Sequence, residues 1–192
     1  MKSALTRDRG FDGIRGERQG ATRARRIDEL PLDRPIYTAK VKAPFAMLGI
    51  RTGQGAVTGI EYLPASERPQ APTDALAARA FRQIERYLAD PQFRFSLPLA
   101  PAGTVFRRRV WDTLAQIPVG ESRTYGELAR QLHTAPRAVG GACGANPIAL
   151  VIPCHRVVGT HGSLGGFMGV TDGDPIAIKR WLLSHEGYRF GA

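Results

Sequence analysis

Apolar residues change their spacing three times along the chain. Residues 1–34 hold few of them and no period, and are rich in Arg and Gly. That texture predicts a disordered basic arm. From Ile36, β-branched and aromatic residues dominate, interrupted by Ala43-Pro44 and by Thr52-Gly53-Gln54-Gly55. Three antiparallel strands are expected near 36–42, 45–51 and 56–63. The spacing then becomes helical. Leu76, Ala80, Ile84 and Leu88 recur every four residues, with Thr73 or Asp74 as N-cap and Asp90-Pro91 as the stop. "FSLPLAPAG", with its prolines, reads as a linker to the second half.

The second half reads as mostly helical. Phe106, Val110, Leu114 and Ile117 share one face of a helix that Thr104 can cap and that Pro118 and Gly120 close. Thr124 and Glu127 have capping-box spacing at the start of a short helix. "TAPRAVGGACGANP" opens a second short helix with a cap and an early proline. Two short helices across a tight turn predict a helix-turn-helix. Gly140, Gly141 and Gly144 inside the second helix each cost roughly 1 kcal/mol against Ala. Ala138, Gly141, Ala142 and Ala145 recur at helical spacing and make a nearly flat face. Such a face suits tight helix packing or close approach to a DNA groove, and Arg137 at its start favours the groove. The last helix is expected to start with Asp174 as N-cap and Pro175 in its first turn, and to end at Glu186-Gly187. The fold class expected is α+β: a small antiparallel sheet-plus-helix domain over 35–100, then a mostly helical, winged-helix-like DNA-binding domain over 101–192.

Composition narrows the function. The 192 residues carry 27 Lys and Arg against 17 Asp and Glu, a net charge of +10. A polyanionic partner is expected, nucleic acid first and an anionic membrane second. No apolar run approaches the roughly 20 residues needed to span a bilayer, and the first residues lack a secretory signal's apolar stretch. A cytoplasmic protein is expected. With two cysteines, Cys143 and Cys154, there is no disulfide framework and no four-thiolate zinc site. The four histidines show no metal-ligand spacing, and neither metal nor cofactor is implied.

One stretch, "LVIPCHRVVG", resists a structural reading. It ends an apolar run in Pro153-Cys154-His155-Arg156. A thiol becomes nucleophilic beside positive charge or a base. Adjacent residues of an extended strand point opposite ways, so a Cys154–His155 relay requires a turn or a bridging water, and a carboxylate to orient the imidazole. Glu186 at the end of the last helix can supply the carboxylate.

"IPCHRVVG", preceded by "RAVGGACGANP" and followed by "KRWLLSHEG", closely resembles the O6-alkylguanine-DNA alkyltransferase family, from about residue 103 to 188. The resemblance implies that Cys154 accepts the alkyl group, that His155 deprotonates it through a water, and that Glu186 orients His155. It makes Asn146 the hinge between recognition helix and active-site turn. Arg137 becomes the finger that replaces the flipped nucleotide, and Tyr125 the residue that rotates the phosphate and donates to the purine. Ala138, Gly141 and Ala142 would lie on DNA. Val157 and the stretch from Ser163 to Phe167, with Leu164 and Gly165 in it, would line the guanine pocket, and Arg156 would support the turn. The implied activity is suicidal DNA repair by a monomer on alkylated duplex DNA, without cofactor or membrane. Two features depart from the family: Phe167 stands where Tyr is frequent, and "VTDGDP" over 170–175 lengthens the link to the last helix.

Overall fold

Residues 37–161 and 163–190 are described by a computed structural model; the basic arm expected over 1–34 lies outside them. Strands β1 (Ala39–Lys42), β2 (Met47–Gly53) and β3 (Ala56–Leu63) form an antiparallel sheet in the order β1-β2-β3. Gln54 and Gly55, both at positive φ, turn β2 into β3 and set Gly53 opposite Ala56. Two left-handed residues in a two-residue loop match the right-handed strand twist.

Helix α1 (Ala75–Ala89) packs on this sheet. Asp74 is its cap, accepting from the Ala77 amide at 2.7 Å. The buried stripe is Ala77, Ala80, Ile84 and Tyr87, with Leu76 and Leu88 outside it: Leu76 is half-buried and packs at the edge of the core, as does Leu88. A strict four-residue spacing drifts by about 40° per step on a helix of 3.6 residues per turn. Both ends of the expected stripe therefore leave the buried face, and Tyr87 enters it.

The linker is tied to the sheet by backbone hydrogen bonds. The Val57 amide donates to the Pro98 carbonyl, and the Ala100 amide to the Val57 carbonyl. Helix α2 (Val105–Leu114) starts at Thr104, which caps the Arg107 amide, and buries Val110, Trp111 and Leu114. Strand β4 (Arg123–Thr124) leads directly into helix α3 (Tyr125–Gln131), and helix α4 (Pro136–Gly144) comes next. The capping box at α3 is complete: the Glu127 amide donates to Thr124 Oγ1 and the Thr124 amide to the Glu127 carboxylate. At α4 the expected cap is not made. Ala135 holds the cap position without a side-chain bond, and Pro136 fills the first helical position, where no amide hydrogen is needed. Strand β5 (Val157–Val158) pairs in parallel with β4. Two-residue strands carry no readable period, so this pair is invisible in the sequence. Helix α5 (Gly173–His185) has Asp172 as cap residue rather than Asp174, which lies in the first turn.

The described residues form one compact unit, and a single cluster of buried side chains runs from Ala39 on β1 to Leu182 on α5. Among the described residues no helix is long and apolar enough to cross a membrane.

Candidate active site

Two backbone devices place Cys154. The Ile60 amide of β3 donates to the Pro147 carbonyl, and the Ala149 amide returns the bond to the Ile60 carbonyl. This ties the segment after α4 to the central sheet. Next, Cys154–Arg156 winds into a single 3₁₀ turn, with the Arg156 amide on the Pro153 carbonyl at 3.0 Å. The turn replaces extended alternation, as a relay requires.

Asn146 braces this turn. Its amide nitrogen donates to the Ile152 carbonyl at 2.8 Å and to Cys154 Sγ at 3.3 Å, while its oxygen accepts from the Ile148 amide. Burial pushes the Cys154 thiol up, opposed by the Asn146 hydrogen bond and the Lys179 charge. His155 is fully buried, with Nε2 at 3.0 Å from Glu186 Oε1. With the Nε2 proton directed at Glu186, neutral His155 leaves Nδ1 as an acceptor, and Nδ1 has no partner among the described residues. Desolvation pulls the imidazole below its usual range, although Glu186 opposes this.

Glu186 accepts four hydrogen bonds. Besides His155 they come from Arg156 Nε at 2.8 Å, Arg156 Nη2 at 2.8 Å and the Tyr87 hydroxyl at 2.9 Å. Burial acts to raise its pKa, but the His155 and Arg156 contacts prevail and hold it at about 2. Arg156 also donates to the Ile117 carbonyl at 2.5 Å. Arg156 is thus the counter-ion of Glu186, beyond the turn-supporting part expected of it. Tyr87 escapes sequence reasoning because a period of four, right at Ala80 and Ile84, drifts off the buried face by the last turn of α1.

Lys179 is a second site residue that sequence reasoning misses. It is fully buried and donates to the carbonyls of Val157 (2.6 Å), Leu164 (2.6 Å) and Gly166 (3.0 Å). Desolvation lowers its pKa to about 8. A signal for it exists: Lys179, Leu182, Leu183 and Glu186 share one helical face. Replacing Lys179 by Met removes a positive charge near Cys154. The pH midpoint for iodoacetamide labelling of Cys154 should rise. An unchanged midpoint would leave Lys179 with the loop-anchoring part alone.

A cavity of about 770 Å³ opens above Cys154. Tyr125, Arg137, Gly140, Gly141 and Gly144 form one side, and Gly166 to Thr171 the other. The β4–β5 pair brings Tyr125 here, and its hydroxyl donates to the Gly166 carbonyl at 2.9 Å. Gly165, at φ 65°, lies so close that a Cβ would sit 2.9 Å from the Tyr125 ring.

Several expected positions fall elsewhere. Val157 is fully buried in β5, Ser163 is exposed, and neither they nor Leu164 and Gly165 line the cavity. Lys179 holds the Val157 and Leu164 carbonyls away from the cavity, and the wall starts at Gly166. Of the expected stretch from Ser163 to Phe167, Gly166 and Phe167 line it. On α4, Ala142 points into the core and its carbonyl accepts from Trp111 Nε1 at 2.8 Å. Ala138 is half-buried, whereas Arg137, Gly141 and Gly144 are exposed. The flat face is therefore turned about the helix axis from the one the spacing predicts.

Comparison with known proteins agrees with this geometry. Residues 105–188 match the family profile described as 6-O-methylguanine DNA methyltransferase, DNA binding domain. A methylated-DNA–protein-cysteine methyltransferase of Methanosarcina acetivorans is 35% identical over 159 residues, spanning 79% of this chain and 99% of the relative. The crystal structure of Mycobacterium tuberculosis O6-methylguanine methyltransferase superposes with a TM-score of 0.66 at 37% identity, covering 77% of this chain and 90% of that one. The structure of the M. tuberculosis protein in complex with DNA gives 0.65 at 38% identity, with the same coverage of each chain.

Proposed function

The chain belongs to the methylated-DNA–protein-cysteine methyltransferase family, and from that premise we propose that it repairs DNA by direct reversal, taking the alkyl group of O6-alkylguanine, and of O4-alkylthymine, onto Cys154. The observation that carries this reading is the position of the Cys154 sulfur, bonded to Asn146 at the floor of a cavity rimmed by Tyr125 and Arg137. Residues 35–100 act as the supporting sheet-and-helix domain, and 101–192 as the DNA-binding and alkyl-acceptor domain. In the latter, α3 and α4 form a helix-turn-helix that presents Arg137, Gly141 and Gly144 to the duplex.

The target oxygen is stacked inside the duplex, so the base must be extruded into the cavity. The Cys154 proton passes to His155 Nδ1, through a water if the two side chains do not meet, and Glu186 stabilises the imidazolium. The thiolate attacks the alkyl carbon in line. The S–C bond forms, the C–O6 bond breaks, and guanine leaves with its negative charge on O6 and then takes up a proton. The product thioether has no hydrolytic exit, so each molecule acts once.

The test is stoichiometry. Excess O6-methylguanine duplex should add one methyl per protein molecule and no more, read by intact mass. Catalytic release of methanol would overturn the reading.

Arg137→Ala should slow repair of duplex DNA by about 10- to 100-fold, as the arginine offsets part of an extrusion cost of a few kcal/mol. Reaction with free O6-benzylguanine, which needs no extrusion, should keep its rate. Equal slowing of both would place Arg137 in the chemical step.

A further inference from the structure

Helix α1 reaches the relay through Tyr87, whose hydroxyl has no part in the mechanism given above. The side chain is buried, and the hydroxyl donates to Glu186 Oε1 at 2.9 Å. The same oxygen faces His155 Nε2 at 3.0 Å and Arg156 Nη2 at 2.8 Å, whereas Oε2 accepts from Arg156 Nε. Three donors therefore share one carboxylate oxygen, and one serves the other. Packing fixes the phenol there. Its ring lies against Phe95 at 5.5 Å and edge-on to His185 at 5.3 Å between centroids, and the Tyr87 carbonyl accepts from His185 Nε2 at 2.9 Å. Burial first, and then the Glu186 charge, push the hydroxyl well above its usual range. It stays protonated and can only donate to the carboxylate.

A neutral donor on a carboxylate withdraws charge that the carboxylate otherwise offers to its remaining partners. Here the remaining partner that matters is His155. Burial, Arg156 and Lys179 all oppose a charged imidazole, and Glu186 is the group that favours it. The Tyr87 bond weakens that one favourable contact. The plane of the carboxylate does not depend on Tyr87, because the two-pronged Arg156 contact already sets it. The hydroxyl acts on the strength of Oε1 as an acceptor. Other ionisable groups near the relay leave this balance alone. Burial keeps Cys143 on α4 and Tyr62 on β3 protonated, so neither brings a charge.

We propose that Tyr87 is a positioning residue that restrains the relay: by sharing Glu186 Oε1 with His155, it holds down the reactivity of Cys154. The inference rests on the Cys154–His155–Glu186 relay of the alkyl-transfer reading given above. The thioether formed in that reaction is permanent, so a thiol open to every small electrophile would be consumed before it met a lesion. A base held in the cavity reacts through proximity, which offsets a modest restraint on the thiol. A diffusing electrophile has no such help, and the restraint acts on it in full. Removing the Tyr87 hydroxyl therefore makes Cys154 more reactive, which is the opposite of what loss of a supporting contact does.

The experiment measures iodoacetamide labelling of Cys154, read by peptide mass, across pH 6–9.5. It compares the wild-type chain, Tyr87→Phe, and a chain with 3-fluorotyrosine in place of Tyr87. Tyr87→Phe removes the donor and leaves Oε1 its other two partners, so the buried carboxylate stays paired. Fluorine makes the phenol more acidic and a stronger donor, with ring and hydroxyl kept. Tyr87→Phe should label about threefold faster at pH 7, with its pH midpoint about half a unit lower. The fluorotyrosine chain should label more slowly than wild type. Labelling of Tyr87→Phe that is unchanged or slower overturns the proposal. So does a fluorotyrosine chain that labels as fast as wild type or faster, since loosened packing does not follow donor strength. If Tyr87→Phe does not fold, the fluorotyrosine comparison decides alone. Absence of methyl transfer from alkylated duplex to the wild-type chain would instead sink the alkyl-transfer reading, and the labelling comparison would still decide whether Tyr87 restrains the thiol.

Discussion

Cys154→Ala should abolish alkyl transfer, by at least about 10³-fold as expected for loss of a nucleophile, while Cys143→Ala should keep it. The contrast is informative because both thiols are buried and both line the same cavity. Their surroundings separate them. Burial pushes the Cys143 thiol up to about 12, with the neighbouring Cys154 adding to the rise. At neutral pH such a thiol stays protonated. Cys154 is also raised by burial, but the Asn146 amide donates to its sulfur and Lys179 opposes the rise. It also lies next to a histidine tied to a carboxylate. Peptide mapping after reaction with methylated duplex should therefore find the methyl on Cys154. A methyl on Cys143, or any labelling of the Cys154→Ala variant, would refute the assignment.

The parts of this site legible in the sequence share a short range. Capping at α1, α2 and α3 depends on residues three apart, and Asp74, Thr104 and the Thr124–Glu127 pair act as their spacing predicts. The Pro-Cys-His-Arg turn is contiguous. Its distant partner Glu186 is legible through the family resemblance, and it lies 3.0 Å from His155. What is not legible depends on rotation or on long-range pairing. A period of four misplaces the α1 stripe, and Tyr87 is lost with it. Small residues alone misplace the α4 face, because Val139 and Cys143 set which side turns inward and take Ala142 with them. The pocket wall is expected to begin at 163 and begins at 166, because nothing local reveals that Lys179, 15 residues from Leu164, holds the Leu164 carbonyl. The segment that carries Cys154 meets the sheet of the first half through the bridge between Ile60 of β3 and Ile148, a pairing that no local pattern reveals.

The Glu186 cluster yields the second large effect. Glu186→Gln should cost the fold about 3–5 kcal/mol at pH 7, the usual consequence of removing one member of a buried ion pair. The carboxylate accepts four hydrogen bonds. Gln offers one acceptor oxygen and two amide hydrogens, which oppose the Arg156 donors, so the guanidinium is left buried without a counter-charge. The pH dependence identifies the cause. The folded pKa of Glu186 is depressed from 4.5 to about 2. Its stabilisation is therefore fully present above pH about 4.5 and is lost progressively as pH falls towards 2, roughly 3 kcal/mol in all. Urea unfolding at pH 7, 4 and 3 should show the gap between wild type and Glu186→Gln narrowing as acid is added. A gap that stays constant would mean that the substitution acts through packing and not through charge. Activity should follow a different profile from stability. Loss of the carboxylate weakens the stabilisation of His155 as an imidazolium, so the reaction of the folded variant with free O6-benzylguanine should slow at pH 7 and recover towards pH 9.5, where hydroxide removes the Cys154 proton directly. If the rate profiles of the two proteins superimpose across that range, Glu186 serves the fold and has no part in activating Cys154.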